Sequence, residues 1–288
     1  MTATMTRGYV KMAVACAVLA WALTAHSGWI GSMWHVSRSA DEPDVSIVNT
    51  VKPTFRVYAF NPESGALKHI KFNVREPEKF YVNGESAFTL SLGGREVKAE
   101  FVSFDAADDD ALCHASERND DDVLATAKSV FRVPDEDVVV EILYRFRRDS
   151  EVMVDCSVVG KKQLPPGSRL AVSYPLSGDY ATVGKYGASG DEVHGMALSR
   201  KCDGGHRTLI FFARTRDGRG VRTTGLLDAI FSLGRQKGMM KADLSRRDNP
   251  LSPAHDQWLT LSGELKDPVT TEDGLLRYSF NFSIPLNL

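Results

Sequence analysis

The chain has 288 residues, 43% hydrophobic and 25% charged. That is long and apolar enough to bury a core, and it excludes a disordered chain, a collagen and a small disulfide-stapled scaffold. Lys+Arg 35 against Asp+Glu 37 leaves a net charge of −2, without the basic excess of a dedicated nucleic-acid binder, so no nucleic-acid partner is expected.

Arg7 and Lys11 precede an apolar run from Met12 to Ala25 interrupted only by Thr24, and no charged residue lies between Lys11 and Arg38. This is an export pattern. As a retained anchor, Met12 to Trp34 in one helix rises about 34 Å, enough for a hydrocarbon core of about 30 Å, with Trp29 and Trp34 at the far interface. As a cleaved signal peptide, Ala25-His26-Ser27 supplies the small residues for cleavage after Ser27. In both readings the basic flank before the run and Asp41, Glu42 and Asp44 after it place the body outside the cytoplasm. Residues 1–40 are therefore read as signal peptide or membrane anchor with its linker, and 41–288 as an extracytoplasmic domain, periplasmic in a Gram-negative cell. The protein is expected to be single-pass membrane-anchored or secreted.

From Asp41 onward the hydrophobic period is mostly two, which predicts strands. Phe55, Val57 and Ala59, the turn cluster Asn61-Pro62-Glu63-Ser64-Gly65, then Ile70, Phe72 and Val74 predict a hairpin. Phe88, Leu90 and Leu92, then Gly93-Gly94, then Val97, Ala99 and Phe101 predict another. Val138, Val140, Ile142, Tyr144 and Phe146 form one apolar face and Val152, Val154, Cys156 and Val158 the next, joined by the polar connection Arg148-Asp149-Ser150-Glu151. Leu209 to Val221 turns at Asp217-Gly218. Leu226, Leu227, Ile230 and Phe231 have helical spacing behind Thr224 as an N-cap, with Gly234 and Gly238 ending the element. Tyr278, Phe280, Phe282, Ile284 and Leu286 alternate with polar residues in a last, half-buried strand. The fold class is all-β, an antiparallel β-sandwich after an N-terminal hydrophobic helix, with a supersandwich as one form of it.

Charge is uneven. Residues 100–122 hold nine acids against Arg118 and read as a solvated acidic insertion; Asp108-Asp109-Asp110 lacks the spacing and the glycine of a calcium loop. Residues 200–250 hold twelve Lys and Arg against five Asp. Arg214, Arg216, Arg219 and Arg222 crowd one hairpin and are the binding residues expected, for an anionic lipid, an acidic glycan or an envelope protein.

Enzyme signatures are sparse. No Walker phosphate loop, Gly-x-Ser-x-Gly or His-Glu-x-x-His occurs. Asp191, Glu192 and His194 lie together in a Gly-flanked stretch that reads as a polar surface loop. Cys113, Cys156 and Cys202 are the cysteines of the exported part. Cys156 falls on an apolar strand face, and Cys113 and Cys202 are open to pairing or to free thiols. Cys113-His114 with Cys202 and His206 is a ligand set zinc accepts, without finger spacing, so neither a metal site nor a cofactor is expected.

The stretches VSIVNTVKPTFRVYAFNPESGALKHIKF (45–72) and VFRVPDEDVVVEILYRFRRDSEVMVDCSVVG (130–160), behind an N-in hydrophobic segment, resemble the layout of the periplasmic domain of YidC-type membrane-protein insertases. The resemblance implies a β-supersandwich, a fold shared with galactose mutarotases. It implies no insertase activity, because the further membrane helices of those proteins have no counterpart here. The function expected is a non-enzymatic, membrane-tethered or secreted β-sandwich that binds a component of the cell envelope. The alternative is a carbohydrate-binding or carbohydrate-active protein, which the position of Trp258 as the body's one tryptophan disfavours.

Overall fold

The computed structural model describes residues 33–39, 43–50, 56–72, 79–115, 119, 121–148, 152–175, 180–185, 208–216, 221–223, 229–233, 241–246 and 257–284. Strands β1 (Trp34–Arg38), β2 (Val45–Asn49), β3 (Arg56–Phe60), β4 (Leu67–Phe72) and β5 (Lys79–Asn83) form one antiparallel sheet in sequential order. A second small sheet has the order β17 (Lys241–Arg246), β18 (Gln257–Glu264), β12 (Arg169–Pro175), β6 (Ala87–Leu92), β7 (Arg95–Val97). The large sheet runs β13 (Tyr180–Lys185), β14 (Thr208–Arg216), β16 (Ala229–Leu233), β20 (Leu276–Ile284), β11 (Val152–Gly160), β10 (Val138–Arg147), β9 (Val123–Val133), β8 (Glu100–Asp108). Two short strands sit off this path, β15 (Val221–Thr223) beside β14 and β19 (Val269–Thr270) beside β20. The expected antiparallel all-β sandwich is therefore present.

Alternation decides which face is covered. Along β10 the even-numbered residues Val138 to Phe146 are buried and the odd ones only half-buried. The two small sheets lie on that one face. From the first, Trp34 and Tyr58 pack on Phe146, with ring centroids 4.9 and 5.1 Å away, and Phe60 meets both Phe104 and Tyr144. From the second, Phe88 packs on Phe131 at 4.4 Å and Tyr174 on Phe282 at 6.1 Å. Gly263 of β18 leaves room for the Phe280 ring, which a Cβ there would meet at 2.5 Å.

The hairpins expected at 55–74 and 138–158 form as β3–β4 and β10–β11, the latter in unbroken register from Val138 opposite Gly160 to Phe146 opposite Val152. The hairpin around Gly93-Gly94 forms only as far as Val97. Phe101 belongs to β8 and pairs in the large sheet instead. The last strand extends to Ile284 and is central, with nine residues paired to β11 on one side and two, Ser283 and Phe282, paired to Ser232 and Leu233 of β16 on the other.

Three expectations need correction. The helix drawn through Leu226 to Phe231 is a strand where the structure describes it. Ile230 and Phe231 pair with Ile210 and Leu209 in β16–β14, and the run from Ala229 to Leu233 suits a ladder as well as its spacing suits a helix. The acidic stretch is not a solvated loop, because Glu100–Asp108 is β8 and Asp110–Cys113 is a single helical turn, α1. Asp109 caps that turn by accepting from the Leu112 amide at 2.9 Å, and Asp108 accepts from the Val36 amide at 2.6 Å. Trp34 does not stand at a membrane interface. It is fully buried in β1, its indole N–H donating to the Arg147 carbonyl at 2.9 Å, so strand structure begins ahead of Asp41. Residues 1–32, which carry the anchor or signal reading, lie outside the described residues, among which no helix is long and apolar enough to cross a membrane.

Candidate functional site

The turn between β3 and β4 is built by its own side chains. Asn61 Oδ1 accepts from the Glu63 amide at 3.0 Å, and the Gly65 amide returns to the Asn61 carbonyl at 2.7 Å. Gly65 has φ +70, and a Cβ there would lie 2.9 Å from both Phe101 and Ser129, so glycine is required on two counts. Ser129 of β9 donates to the Gly65 carbonyl at 2.6 Å and seats the turn on the large sheet. Ser86 ties the turn to the next sheet, its Oγ accepting from the Leu67 amide at 2.9 Å.

Where this turn meets β6 and β12 above β9 and β10, the two small sheets leave a partly open cavity of about 210 Å³. Its lining combines the polar Ser64, Glu85 and Ser86 with the apolar Phe88, Phe131, Ile142 and Val172. Asn61 Nδ2 donates to Glu85 Oε1 at 2.7 Å and fixes the carboxylate at the rim. Tyr144 lines the cavity and shares a 2.9 Å hydrogen bond with Tyr174. Burial pushes the Tyr144 phenol well above its ordinary range, against the pull of its bonds to Tyr174 and Ser86, so it stays a neutral hydroxyl.

The solvent face of the large sheet is charged but internally paired. Glu141 accepts from Lys128 at 2.6 Å and from Arg277 at 2.8 Å, and Arg145 with Asp155 and Arg147 with Asp121 make further pairs. Burial raises the Glu141 carboxyl, but the two cations outweigh it and hold the group below the usual carboxylate range. Arg148, nearly buried, reaches Asp122 at 3.1 Å and the Leu112 carbonyl. Asp122 is thus drawn against the fold, while Asp105, Asp108, Asp109, Asp110 and Asp121 stay exposed.

The structure places the expected binding residues only in part. Arg214 is opposite Thr223 and Arg216 opposite Val221 in the β14–β15 ribbon, whereas Arg222 is opposite Thr215. Register therefore puts Arg214 and Arg216 on one face of the ribbon and Arg222 on the other. Arg219 lies outside the described residues, as do Asp191, Glu192, His194, Cys202 and His206. Cys113 carries a free, buried thiol that donates to the Trp34 carbonyl at 3.3 Å, and burial raises its pKa. Cys156 is free and fully buried, as its strand face requires, and burial pushes its thiol far up. Neither is a reactive thiolate. The cavity was not foreseen from the sequence, although its Asn61–Gly65 turn was.

No family model matches the chain, and no curated protein does. Among solved structures, a heparinase III overlaps 84% of this chain and 35% of its own length at 11% identity and a TM-score of 0.38. The GH36 alpha-galactosidase AgaA from Geobacillus stearothermophilus overlaps 87% and 40% at 10% identity and 0.40. A second heparinase III, the BT4657 gene product with methylated lysines, overlaps 91% and 36% at 12% identity and 0.35. The chain thus spans well under half the length of these enzymes, and overlaps this slight carry no argument about its activity.

Proposed function

We propose that the chain is a non-enzymatic binding protein of the cell envelope, tethered or secreted through its N-terminal segment, with the body outside the cytoplasm. The seam cavity carries this reading. Its walls converge a few fixed polar groups on an apolar, aromatic surface, the composition of a small-ligand site. Its lining holds a single carboxylate, Glu85. Glycoside hydrolysis uses two carboxylates across the bond, so this lining favours holding a ligand over cleaving one. The basic ribbon with Arg214, Arg216, Arg219 and Arg222 is a second contact in this proposal, steering the body to an anionic surface or partner.

The test is thermal melting of the full chain against lipid, glycan and protein fractions of envelope extract, wild type beside Ile142→Trp, which enlarges a lining side chain on the covered face of β10 into the cavity. One fraction is expected to raise the melting temperature of the wild type and not of the variant. No shift with any fraction would overturn the reading.

A further inference from the structure

The cavity's polar lining is specific about what it offers. Ser64 Oγ already accepts from the Ala66 amide at 3.3 Å, and Ser86 Oγ from the Leu67 amide. A hydroxyl that accepts from the backbone keeps its proton to donate, so Ser64 presents a donor, whereas Ser86 is also bonded to Tyr144. Glu85 is the opposite case. Its Oε1 is taken by Asn61, and the carboxylate keeps further lone pairs for another donor. A donor and a charged acceptor thus line the cavity together with a tilted pair of rings, Phe88 and Phe131.

An ammonium group has donors only. It satisfies Glu85 but offers no acceptor to the Ser64 proton. A purely apolar group strips water from all three polar side chains and returns nothing. A hydroxyl both donates and accepts, so adjacent hydroxyls on one ring answer Ser64 and the carboxylate together. The C–H face of the same ring covers the phenylalanines. The volume, about 210 Å³, is smaller than that of a drug-sized site and suits one ring rather than a chain of them.

We infer that the seam cavity binds a single polyhydroxylated ring, with Glu85 accepting from one ring hydroxyl, Ser64 donating to a neighbouring one, and Phe88 and Phe131 taking its C–H face. This rests on the cavity being the chain's binding site, and it adds the ligand's chemistry.

Saturation-transfer NMR on the full chain tests it, with methyl β-glucopyranoside, methyl β-galactopyranoside and myo-inositol as ring probes and butylammonium and cyclohexanol as comparators. At least one ring probe is expected to show transfer, strongest on its C–H protons, and Ile142→Trp is expected to abolish it. Glu85→Ala should weaken that probe about tenfold or more, the loss expected for a hydrogen bond to a charged group, and Glu85→Gln, which keeps a carbonyl acceptor, should weaken it less. Glu85 is exposed, so its variants test the inference even where Ile142→Trp disturbs the fold. Butylammonium or cyclohexanol binding in preference to the rings would overturn the ligand class and leave the binding reading standing. So would silence of all the rings while an envelope fraction still shifts the melting temperature. Ring transfer that persists in Ile142→Trp would place the ring elsewhere and overturn the inference. Silence of every probe and every fraction would remove both readings.

Discussion

The hydroxyls of Tyr144 and Tyr174 lie 2.9 Å apart in the core, one on β10 and the other on β12, so a single hydrogen bond joins the large sheet to the smaller sheet that covers it. Both residues are fully buried, where an unmade hydrogen bond costs more than a made one gains. Tyr174→Phe is expected to destabilise the fold by about 1–2 kcal/mol. Adding Tyr144→Phe removes the stranded partner, so the double variant should cost less than the two single losses combined. Urea unfolding in a double-mutant cycle measures the coupling.

Gly263→Ala should be harmful although it adds one methyl group. That methyl would stand 2.5 Å from the Phe280 ring, inside the contact between β18 and β20. Overpacking of this kind costs about 1–3 kcal/mol. Combining it with Phe280→Ala, which removes the two nearest obstructing atoms, Cγ and Cδ1, should cost less than the two single losses combined in the same unfolding assay.

Glu141 ties acid stability to the outer face of the large sheet. Its folded pKa lies below the ordinary value, so its contribution is complete above about pH 4.5 and is lost as the pH falls through the folded value. Wild type should therefore lose stability more steeply than Glu141→Gln on acidification below that point. At neutral pH the variant should be less stable by no more than about 1 kcal/mol, because Lys128 and Arg277 are both substantially exposed. Unfolding midpoints between pH 3 and 7 decide it.

Replacing Arg214, Arg216, Arg219 and Arg222 by Ser should weaken retention on anionic vesicles most at low salt and leave the circular dichroism spectrum unchanged. Charge at a rim mainly sets association rate and salt dependence, and salt screens it within about 10 Å at 0.1 M. Since Arg222 is on the opposite face of the ribbon from Arg214 and Arg216, Arg222→Ser alone should do less than the pair Arg214→Ser with Arg216→Ser. Co-sedimentation at low and high salt compares them. Equal retention of all variants would make these arginines ordinary solvated surface.

Strands were legible wherever one face is buried and the other wet. Tyr278 to Ile284 and Val138 to Phe146 declare themselves because alternation in the sequence is alternation in space. Asn61-Pro62-Glu63-Ser64-Gly65 was legible because its turn is made by local hydrogen bonds and a positive φ. Ile230 and Phe231 misled because a short apolar cluster fits both periods and only β14, far back in the chain, chooses between them. Trp34 misled because it follows an apolar run, and nothing local shows that Arg147 and Phe146 receive it. The bonds of Asp108, Glu100 and Asp122 were not legible because their partners, Val36, Arg132 and Arg148, are distant in sequence. The cavity could not be read at all, since its walls come from five separate stretches that meet only when three sheets are assembled.

The position of β20 makes the large sheet a structure with a late keystone. Everything from β8 to β11 can pair as it is synthesised, each strand against the one before it. The block of β13, β14 and β16 joins that part only through β20, which is made after all of them. Until then β11 and β16 each present an open edge, and the longer closure, β11 with β20, joins residues more than a hundred apart, the kind of contact that forms slowly. Among the described strands the centre of this sheet therefore stays unpaired until the last one is made.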